Sequence, residues 1–393
     1  MRVLIVGAGI GGPSLAYWLA RFGHDVTVVE KASALRTGGY MVDFWGSGIE
    51  VAARMGILPR LMAEGYRFRE LREVNARGRR VARLNASRLS SAAGGRYVTI
   101  GRSDLSRAVF EAAGDSVETV FGDTVSHLGD DGERVRVAFA HRAPQEFDLV
   151  VGADGLHSRV RELAFGPDAA YERPLGIAVA AFDLPDYAPR DELVAVTHTE
   201  VGAQVLRLAR RDGSTMFYIT FRHDGPAPLD DAAAQRALLR SRLAGFGWEV
   251  PQILERMPEA RTFYLDVASQ IRMPSWSRGR IALVGDAGAA PSLLAGQGAA
   301  LAMVEAYVLA CALEQERSDH VAAFARWEQT LGAVVRSKQD AAVGLGAAFA
   351  PRSRVQLLMR NGILALMRIP AVADRAMGRS LRDPIDLPPV PAA

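Results

Sequence analysis

Residues 3–30, VLIVGAGIGGPSLAYWLARFGHDVTVVE, constrain the fold of this chain more than any other stretch. An apolar run, Val3 to Val6, enters the glycine turn Gly7-Ala8-Gly9-Ile10-Gly11-Gly12. A helical pattern follows (Leu15, Ala16, Leu19, Ala20), and a second apolar run, Val26 to Val29, ends in Glu30. Strand, tight turn, helix, strand and acid in that order are what a dinucleotide site requires. Gly7 allows the tight turn, Gly9 lets the backbone approach a pyrophosphate, and Gly12 lets helix and strand pack closely. The helix N-terminus presents free N–H groups and a partial positive charge to the phosphates. Glu30 stands about 20 residues beyond the glycines, where a carboxylate accepts a hydrogen bond from a ribose hydroxyl. An acid there favours an unphosphorylated ribose, so FAD or NAD rather than NADP. Gly11, in the same turn, and Lys31, beside the acid, are assigned to the same site.

The chain has 393 residues, enough for two domains or one large α/β domain with insertions. Its 49% hydrophobic and 23% charged content is that of a folded globular protein. The net charge of +3 is spread among acids, with no basic block that would argue for nucleic acid. Cys311 is the only cysteine, so no intramolecular disulfide and no cysteine metal cluster can form, and no metal site is expected. Its setting, VLACALEQ, reads as a buried thiol. Residues 1–20 begin like a signal peptide, but the glycines break an apolar helix there and the βα unit explains them fully. No run is read as reaching the length of a membrane span. The apolar stretch Leu357 to Ala371 is interrupted by Arg360 and Arg368 and closed by Pro370, and is expected to pack on the body of the protein. A cytoplasmic enzyme with no membrane partner follows, as a monomer or homodimer.

There is no internal repeat and no long linker. Strand-like runs occur at 97–100, 134–139 and 147–151, and the tail after Asp383, with Pro384, Pro388, Pro389 and Pro391, reads as irregular. From about 171 to 270, segments such as LVAVTH, QVLRLA and MFYITF alternate as in a half-exposed antiparallel sheet. IALVGDAG at 281–288 returns to a buried parallel strand, and 298–316 and 319–348 read as long helices. The expected fold is α/β: a Rossmann-like, three-layer dinucleotide-binding domain, for FAD or NAD, assembled from residues 1–70, 98–170 and 271–348. A mainly antiparallel substrate domain, 71–97 and 171–270, is inserted, and a C-terminal helix with irregular tail spans 349–393.

Three further segments carry candidate chemistry. In Gly101-Arg102-Ser103-Asp104-Leu105, Arg102 opens a helix and could pair with a phosphate, or be a surface arginine. In VVGADGLHSRVR, 150–161, Asp154 could cap the following helix or receive a cofactor hydrogen bond. In LVGDA, 283–287, Asp286 ends a buried strand, where a carboxylate can bind sugar or ribityl hydroxyls. Gly296 and Gly298, in the loop from Pro291, permit a close main-chain approach to a ring.

Together, GAGIGG…E, GRSDL, GADGLHSRVR and GDAGAAPSLLAGQG resemble the single-component FAD-dependent aromatic monooxygenases, the para-hydroxybenzoate hydroxylase fold group, over essentially the whole chain. GGYMVDFWGSG at 38–48 and the GQG loop are most similar to tetracycline-modifying and polyketide-tailoring hydroxylases. The resemblance implies that Gly7, Gly9, Gly12 and Glu30 hold the adenosine half of FAD. It puts Arg102 at the pyrophosphate or ribityl region, Asp154 in a motif linked to FAD and the pyridine nucleotide, Asp286 on the ribityl chain and loop 291–298 against the isoalloxazine. The group often has His or Tyr where this chain has Ala289, and Ala where it has Gly288, which bears on the shape of the substrate pocket.

No second GxGxxG is present, because Gly344-Leu345-Gly346 follows no strand. By the resemblance, NADH or NADPH therefore docks transiently, and O2 reacts at the reduced flavin through a C4a-hydroperoxide to hydroxylate an aromatic or enolic, polyketide-like molecule. The flavin carries that chemistry, so no side chain is required as a nucleophile. Pro291 to Leu294 would exclude water. In TMFYITFR, 215–222, Phe217, Ile219 and Phe221 share one face and Met216, Tyr218, Thr220 and Arg222 the other. Either face could line a pocket, and Phe217, Arg222, Pro291 and Leu293 are the substrate candidates. His157, His198 and His223 are possible acid–base groups or structural histidines. A flavin halogenase would need a lysine near a halide tunnel and a WxWxIP segment. Here the lysines are Lys31 and Lys338, in a late helix, and the tryptophans form no such pair. A flavin-dependent dehydrogenase or reductase shares the same motifs and stands as the alternative.

Overall fold

A computed structural model of the chain describes residues 1–36, 38–86, 95–228, 230–317, 319–367 and 385–391. Its central sheet has six strands in the order β17 (Ser277–Arg278), β18 (Ile281–Leu283), β11 (Leu149–Gly152), β1 (Arg2–Val6), β2 (Asp25–Glu30) and β7 (Glu118–Phe121). All pair in parallel except the β17–β18 hairpin. A parallel sheet is covered on both faces, so its strands read as continuous apolar runs. Val3 and Ile5 point into a core with the helix Gly11–Arg21, while Leu4 and Val6 point into a second core with Val135, Phe147 and Leu283. That second face is covered by a three-stranded antiparallel sheet of β8 (Val125–Asp130), β9 (Val135–Phe139) and β10 (Gln145–Phe147). The single run expected at 147–151 is thus two strands in different sheets. The break falls at Asp148, whose N–H donates to Arg2 O at 2.8 Å and whose carboxylate accepts the Arg2 N–H at 2.6 Å.

The helix Gly298–Gln315 packs against Gly11–Arg21, Ser47–Arg54 and His320–Val343. It is apolar on almost every side, as a fully buried helix must be. Its 18 residues and mean hydropathy of 1.3 meet the length and composition of a membrane span, contrary to the reading that no run does, but it is 78% buried inside the protein. Cys311 lies on it, buried, with burial lifting its thiol to about 11. The late helix ends at Val343, and a short turn of helix, Gly346–Phe349, follows.

The second large sheet runs β16 (Phe263–Ile271), β12 (Glu172–Leu184), β15 (Thr215–Arg222), β14 (Ala203–Ala209), β13 (Val194–Glu200), β4 (Glu70–Val74) and β5 (Arg80–Asn85). It is antiparallel apart from β4 with β13. It is not half-exposed. One face is sealed by helices Ala232–Leu243 and Val250–Arg256 over Phe182, Phe217 and Phe221. The other meets the first domain through Tyr218, Tyr264, Leu293 and Leu294. A two-stranded ribbon, β3 (Met41–Trp45) with β6 (Tyr97–Gly101), joins the halves.

At the C-terminus, the helix Arg354–Leu366 lies on β5, yet none of its residues is buried. It packs on the body as expected, through the half-buried Leu357, Arg360, Asn361 and Leu364, while Val355, Leu358, Met359, Ile363 and Leu366 stay exposed. Arg368, Pro370, Asp383 and Pro384 lie outside the described residues. Residues 385–391 are irregular, as expected, but anchored: Pro388 O accepts from Tyr307 Oη at 2.7 Å and Arg54 Nη1 at 2.6 Å.

Candidate active site

The loops that follow β1, β11 and β18 meet at the carboxyl ends of those strands and open a crevice lined by Gly9, Gly11, Ala153, Gly155, Gly285 and Asp286. The carboxyl edge of a parallel sheet is where such folds bind ligands. The glycines divide by role. Gly7 sits at φ +110°, and a Cβ there would lie 2.5 Å from Ala153 O. At Gly12 a Cβ would lie 1.9 Å from Gly7 O, so helix and strand touch through it. Beside Gly9 there is nothing within 4 Å, and the room a Cβ would fill opens to the crevice. Gly11 is only in ordinary contact, 3.5 Å from Ala302 and Val284. Ser106 holds the turn from behind, donating to Gly9 O at 2.8 Å.

Glu30 ends β2 with both carboxylate oxygens turned to backbone, accepting from Ala8 N at 2.8 Å and Ala32 N at 2.9 Å. This fixes it beside the glycine turn. Lys31 is exposed and is not among the crevice lining. Asp154 braces the turn that leads into the helix Arg159–Ala164, whose N-cap is Ser158. The Asp154 oxygens accept from Ser158 Oγ at 2.5 Å and Val160 N at 3.1 Å, and Ser158 caps the helix through Arg161 N. Its neighbours Ala153 and Gly155 line the crevice instead.

Arg102 opens the helix Arg102–Ala113, its N–H donating to Tyr40 O at 3.0 Å, and its side chain reaches into the crevice near Asp286 and Tyr40. Asp286 follows β18 at the foot of the helix from Gly298. Burial pushes its carboxyl above the usual range, against the pull of Arg102. Tyr40, Tyr218 and Tyr264 gather beside them, with ring centroids 6.0 and 5.3 Å from Tyr40. Burial lifts the Tyr40 phenol to about 12, Arg102 opposing, and drives those of Tyr218 and Tyr264 higher, so all three stay neutral near physiological pH. Among the described residues, neither the Arg102 guanidinium, nor the Asp286 carboxylate, nor any of these phenols makes a protein hydrogen bond or ion pair. Arg102 is exposed and the other four are half-buried, so these polar groups are open to the crevice rather than sealed in the core. Together with the space at Gly9 and the positive helix ends, they could hold the phosphates and hydroxyls of a dinucleotide.

The loop after Asp286 is clamped from outside. Gln270 Nε2 donates to Pro291 O at 3.1 Å and to Gln339 O at 2.6 Å, and Gln339 Nε2 donates to Ile271 O at 2.8 Å. Pro291 is therefore buried and does not line the crevice, whereas Leu293 does. Gly296, at φ +63°, and Gly298 line it too. Lys338, remote in sequence, donates through Nζ to Gln297 Oε1 in this loop. Gly288 and Ala289 face away: a Cβ at Gly288 would lie 2.9 Å from Leu283, and Ala289 is buried in the core. The departures there do not shape the crevice.

Glu305, an acid set within the buried apolar stretch of the helix Gly298–Gln315, was missed, although that setting was its signal. Its Oε2 accepts the Gly285 N–H at 2.6 Å, directly before Asp286, while Oε1 is buried without a partner. Burial raises it to about 8.

Two substrate candidates lie elsewhere. Phe217 is buried on the helix-covered face against Phe182 and Tyr187, because odd positions of β15 point there. Arg222 is on the crevice side of the sheet but holds the Gly346–Phe349 turn, donating to Ala350 O at 2.8 Å. His198 is buried between Val74 O and Glu200, and His223 meets Pro226 O in a turn. His157 lies 3.2 Å from Asp266, two residues along β16 from Tyr264, and this hydrogen bond raises its pKa.

A glycine-turn crevice at the end of a parallel sheet, roofed by a second sheet, defines a dinucleotide-dependent enzyme. The profile of the FAD binding domain family matches residues 1–320, and the chain belongs to that family as a flavin-dependent monooxygenase. An uncharacterized protein of Mycobacterium tuberculosis is 38% identical over 343 residues, 86% of this chain and 91% of that one. A flavin-dependent monooxygenase of an unknown prokaryotic organism is 34% identical over 369 residues, covering 92% and 94%. The crystal structure of tetracycline destructase Tet(55) superposes with a TM-score of 0.84 at 31% identity, covering 99% of this chain and 98% of that one.

Proposed function

We propose that the crevice seats FAD with Gly7, Gly9, Gly11, Gly12 and Glu30 toward the adenosine half, Arg102 and Asp286 toward the pyrophosphate and ribityl chain, and the loop 291–298 beside the ring. On this reading residues 1–70, 98–170 and 271–348 serve the cofactor, and 71–97 with 171–270 the substrate. Asp154 acts through the turn it braces, and Lys31 only flanks the site. FAD bound there would supply the redox chemistry, with NADH or NADPH as electron donor and O2 as the source of the oxygen atom transferred to the substrate.

The protein's own part is positioning and electrostatics. Arg102 and the N-terminus of Gly298–Gln315 offset negative charge in the crevice. The neutral phenols of Tyr40, Tyr218 and Tyr264 donate hydrogen bonds to the oxygen of a phenolic or enolic substrate. Val42 and Leu293 help keep water out. The substrate class is an aromatic or enolic polyketide, and tetracyclines enter as candidates through the likeness to the destructase. The observation that carries the proposal is that Arg102, Asp286 and Tyr40 line one crevice without a protein hydrogen bond from their side chains, with Tyr218 and Tyr264 packed against Tyr40 from the second sheet.

The test is oxidation of NADH and NADPH by the flavin-loaded enzyme across a panel of polyphenolic polyketides, tetracyclines included, under isotope-labelled O2. A product heavier by one labelled oxygen atom, with flavin reduction accelerated by substrate, is the expected result. A product of unchanged mass, or one shifted by two hydrogens, would make the protein a dehydrogenase or reductase of a similar substrate.

A further inference from the structure

The helix Arg354–Leu366 is amphipathic in the wrong sense for a helix resting on a protein. At about 100° per residue, Val355, Leu358, Met359, Gly362, Ile363 and Leu366 fall on one arc, and Gln356, Leu357, Arg360, Asn361 and Leu364 on the other. The mixed arc is the one turned to the body. Arg360 is half-buried, pairing with buried Glu73 at 3.1 Å and donating to Ala348 O at 2.7 Å. Ser353 caps the helix through Gln356 N. The orientation is thus fixed by polar anchors, and the apolar arc is left outside. Val355, Leu358, Met359, Ile363 and Leu366 are each more than half exposed. They form the main concentration of exposed large apolar side chains in the described protein. Val201 adds to it from the turn whose Gly202 N–H bonds Pro351 O at 2.8 Å.

Charge selects the occupant. The sequence holds no acid between Asp340 and Asp374, while Arg352 and Arg354, both exposed, flank the apolar arc. Glu73, packed beneath, is already neutralised by Arg360. A second copy docked through this arc would bring like charges together. A helix of 13 residues, about 20 Å long, also offers a stripe far short of the roughly 800 Å² per partner that a stable dimer buries. A lipid surface asks only that one apolar face sink a few ångströms into the headgroup boundary, with cations above it.

We propose that the helix Arg354–Leu366 is an interfacial anchor that seats the enzyme on an anionic lipid surface. Membrane contact was not expected from the sequence. The outward face drives insertion, and Arg352 and Arg354 supply the charge attraction.

The experiment is flotation of the flavin-loaded full-length enzyme with phosphatidylcholine vesicles, with and without phosphatidylglycerol. Binding should require phosphatidylglycerol and weaken as salt is raised. Leu358→Glu with Ile363→Glu should cut the bound fraction at least about tenfold. Arg352→Gln with Arg354→Gln should cut it roughly tenfold or more, at about fivefold per arginine. Both variants should keep the flavin spectrum and turnover of the parent in solution, which separates loss of the anchor from loss of the fold. Absence of flotation with the anionic vesicles would overturn the proposal. So would unchanged binding by the glutamate variant, or a dimer seen by light scattering without vesicles that the glutamate variant disperses.

Discussion

The two sides of the crevice are built on different principles. On the cofactor side, the decisive features belong to the backbone: a positive φ at Gly7, a Cβ-free contact at Gly12, open space at Gly9 and helix ends aimed inward. On the opposite side they are side chains: Tyr40 lines the crevice, and Tyr218 and Tyr264 of the second sheet pack against it, brought from three distant segments. The first kind of site tolerates almost no change where backbone touches backbone, as at Gly7 and Gly12, because that approach leaves no slack. The second can exchange side chains while the sheet that carries them survives. One fold can therefore keep its cofactor while its substrate varies.

The sharpest way to break that contrast is at Gly12. Gly12→Ala puts a methyl 1.9 Å from Gly7 O, and should yield protein without flavin, or none that folds, a loss beyond about 4 kcal/mol. Gly11→Ala, with its nearest contacts at 3.5 Å, should stay within about 1 kcal/mol of the parent. Flavin stoichiometry and thermal unfolding distinguish the two.

The same contrast decides what was legible in the sequence. The fingerprint from Gly7 to Glu30 is local, and its chain order alone encodes strand, turn, helix and acid. Asp286 and Arg102 were legible for the same reason, each at the junction of a strand and a helix. The tyrosines were not, since 40, 218 and 264 become neighbours only once β3, β15 and β16 are assembled. Period-two alternation paired Phe217 with Phe221, and Tyr218 with Arg222. It could not say which face helices would cover, so Phe217 was chosen and Tyr218 passed over. Lys338 looked remote because helix packing, rather than sequence distance, brings it to Gln297. The C-terminal helix packs on the body as expected, but the sequence could not say which arc would face inward; the Arg360–Glu73 pair sets that.

Phe217→Ala sharpens the boundary between packing and substrate contact. It should cost about 3–5 kcal/mol in denaturant unfolding and leave substrate KM unchanged. A KM effect as large as that of a tyrosine variant would return Phe217 to the substrate side.

Glu305 probes the backbone side through pH. An unfolded glutamate titrates near 4.5 and this one near 8, so between those values the folded state holds a proton that the unfolded state has lost. Stability should therefore fall as pH rises through that window, by about 1.4 kcal/mol per pH unit, and level off above it. Glu305→Gln should remove this slope. Unfolding curves on both sides of the window, in parent and variant, measure the difference.

The smallest expected effect lies on the side-chain half. Tyr218→Phe removes one neutral donor, about 1 kcal/mol, and should raise KM about fivefold while kcat and flavin content hold.

The division itself is tested most directly by measuring the flavin Kd and the substrate KM side by side in Asp286→Ala and Tyr218→Phe. The account predicts at least a tenfold rise in flavin Kd for Asp286→Ala, and no change in flavin Kd for Tyr218→Phe, whose effect appears only in KM. Retention of flavin at parental affinity by Asp286→Ala, or loss of flavin from Tyr218→Phe, would contradict it.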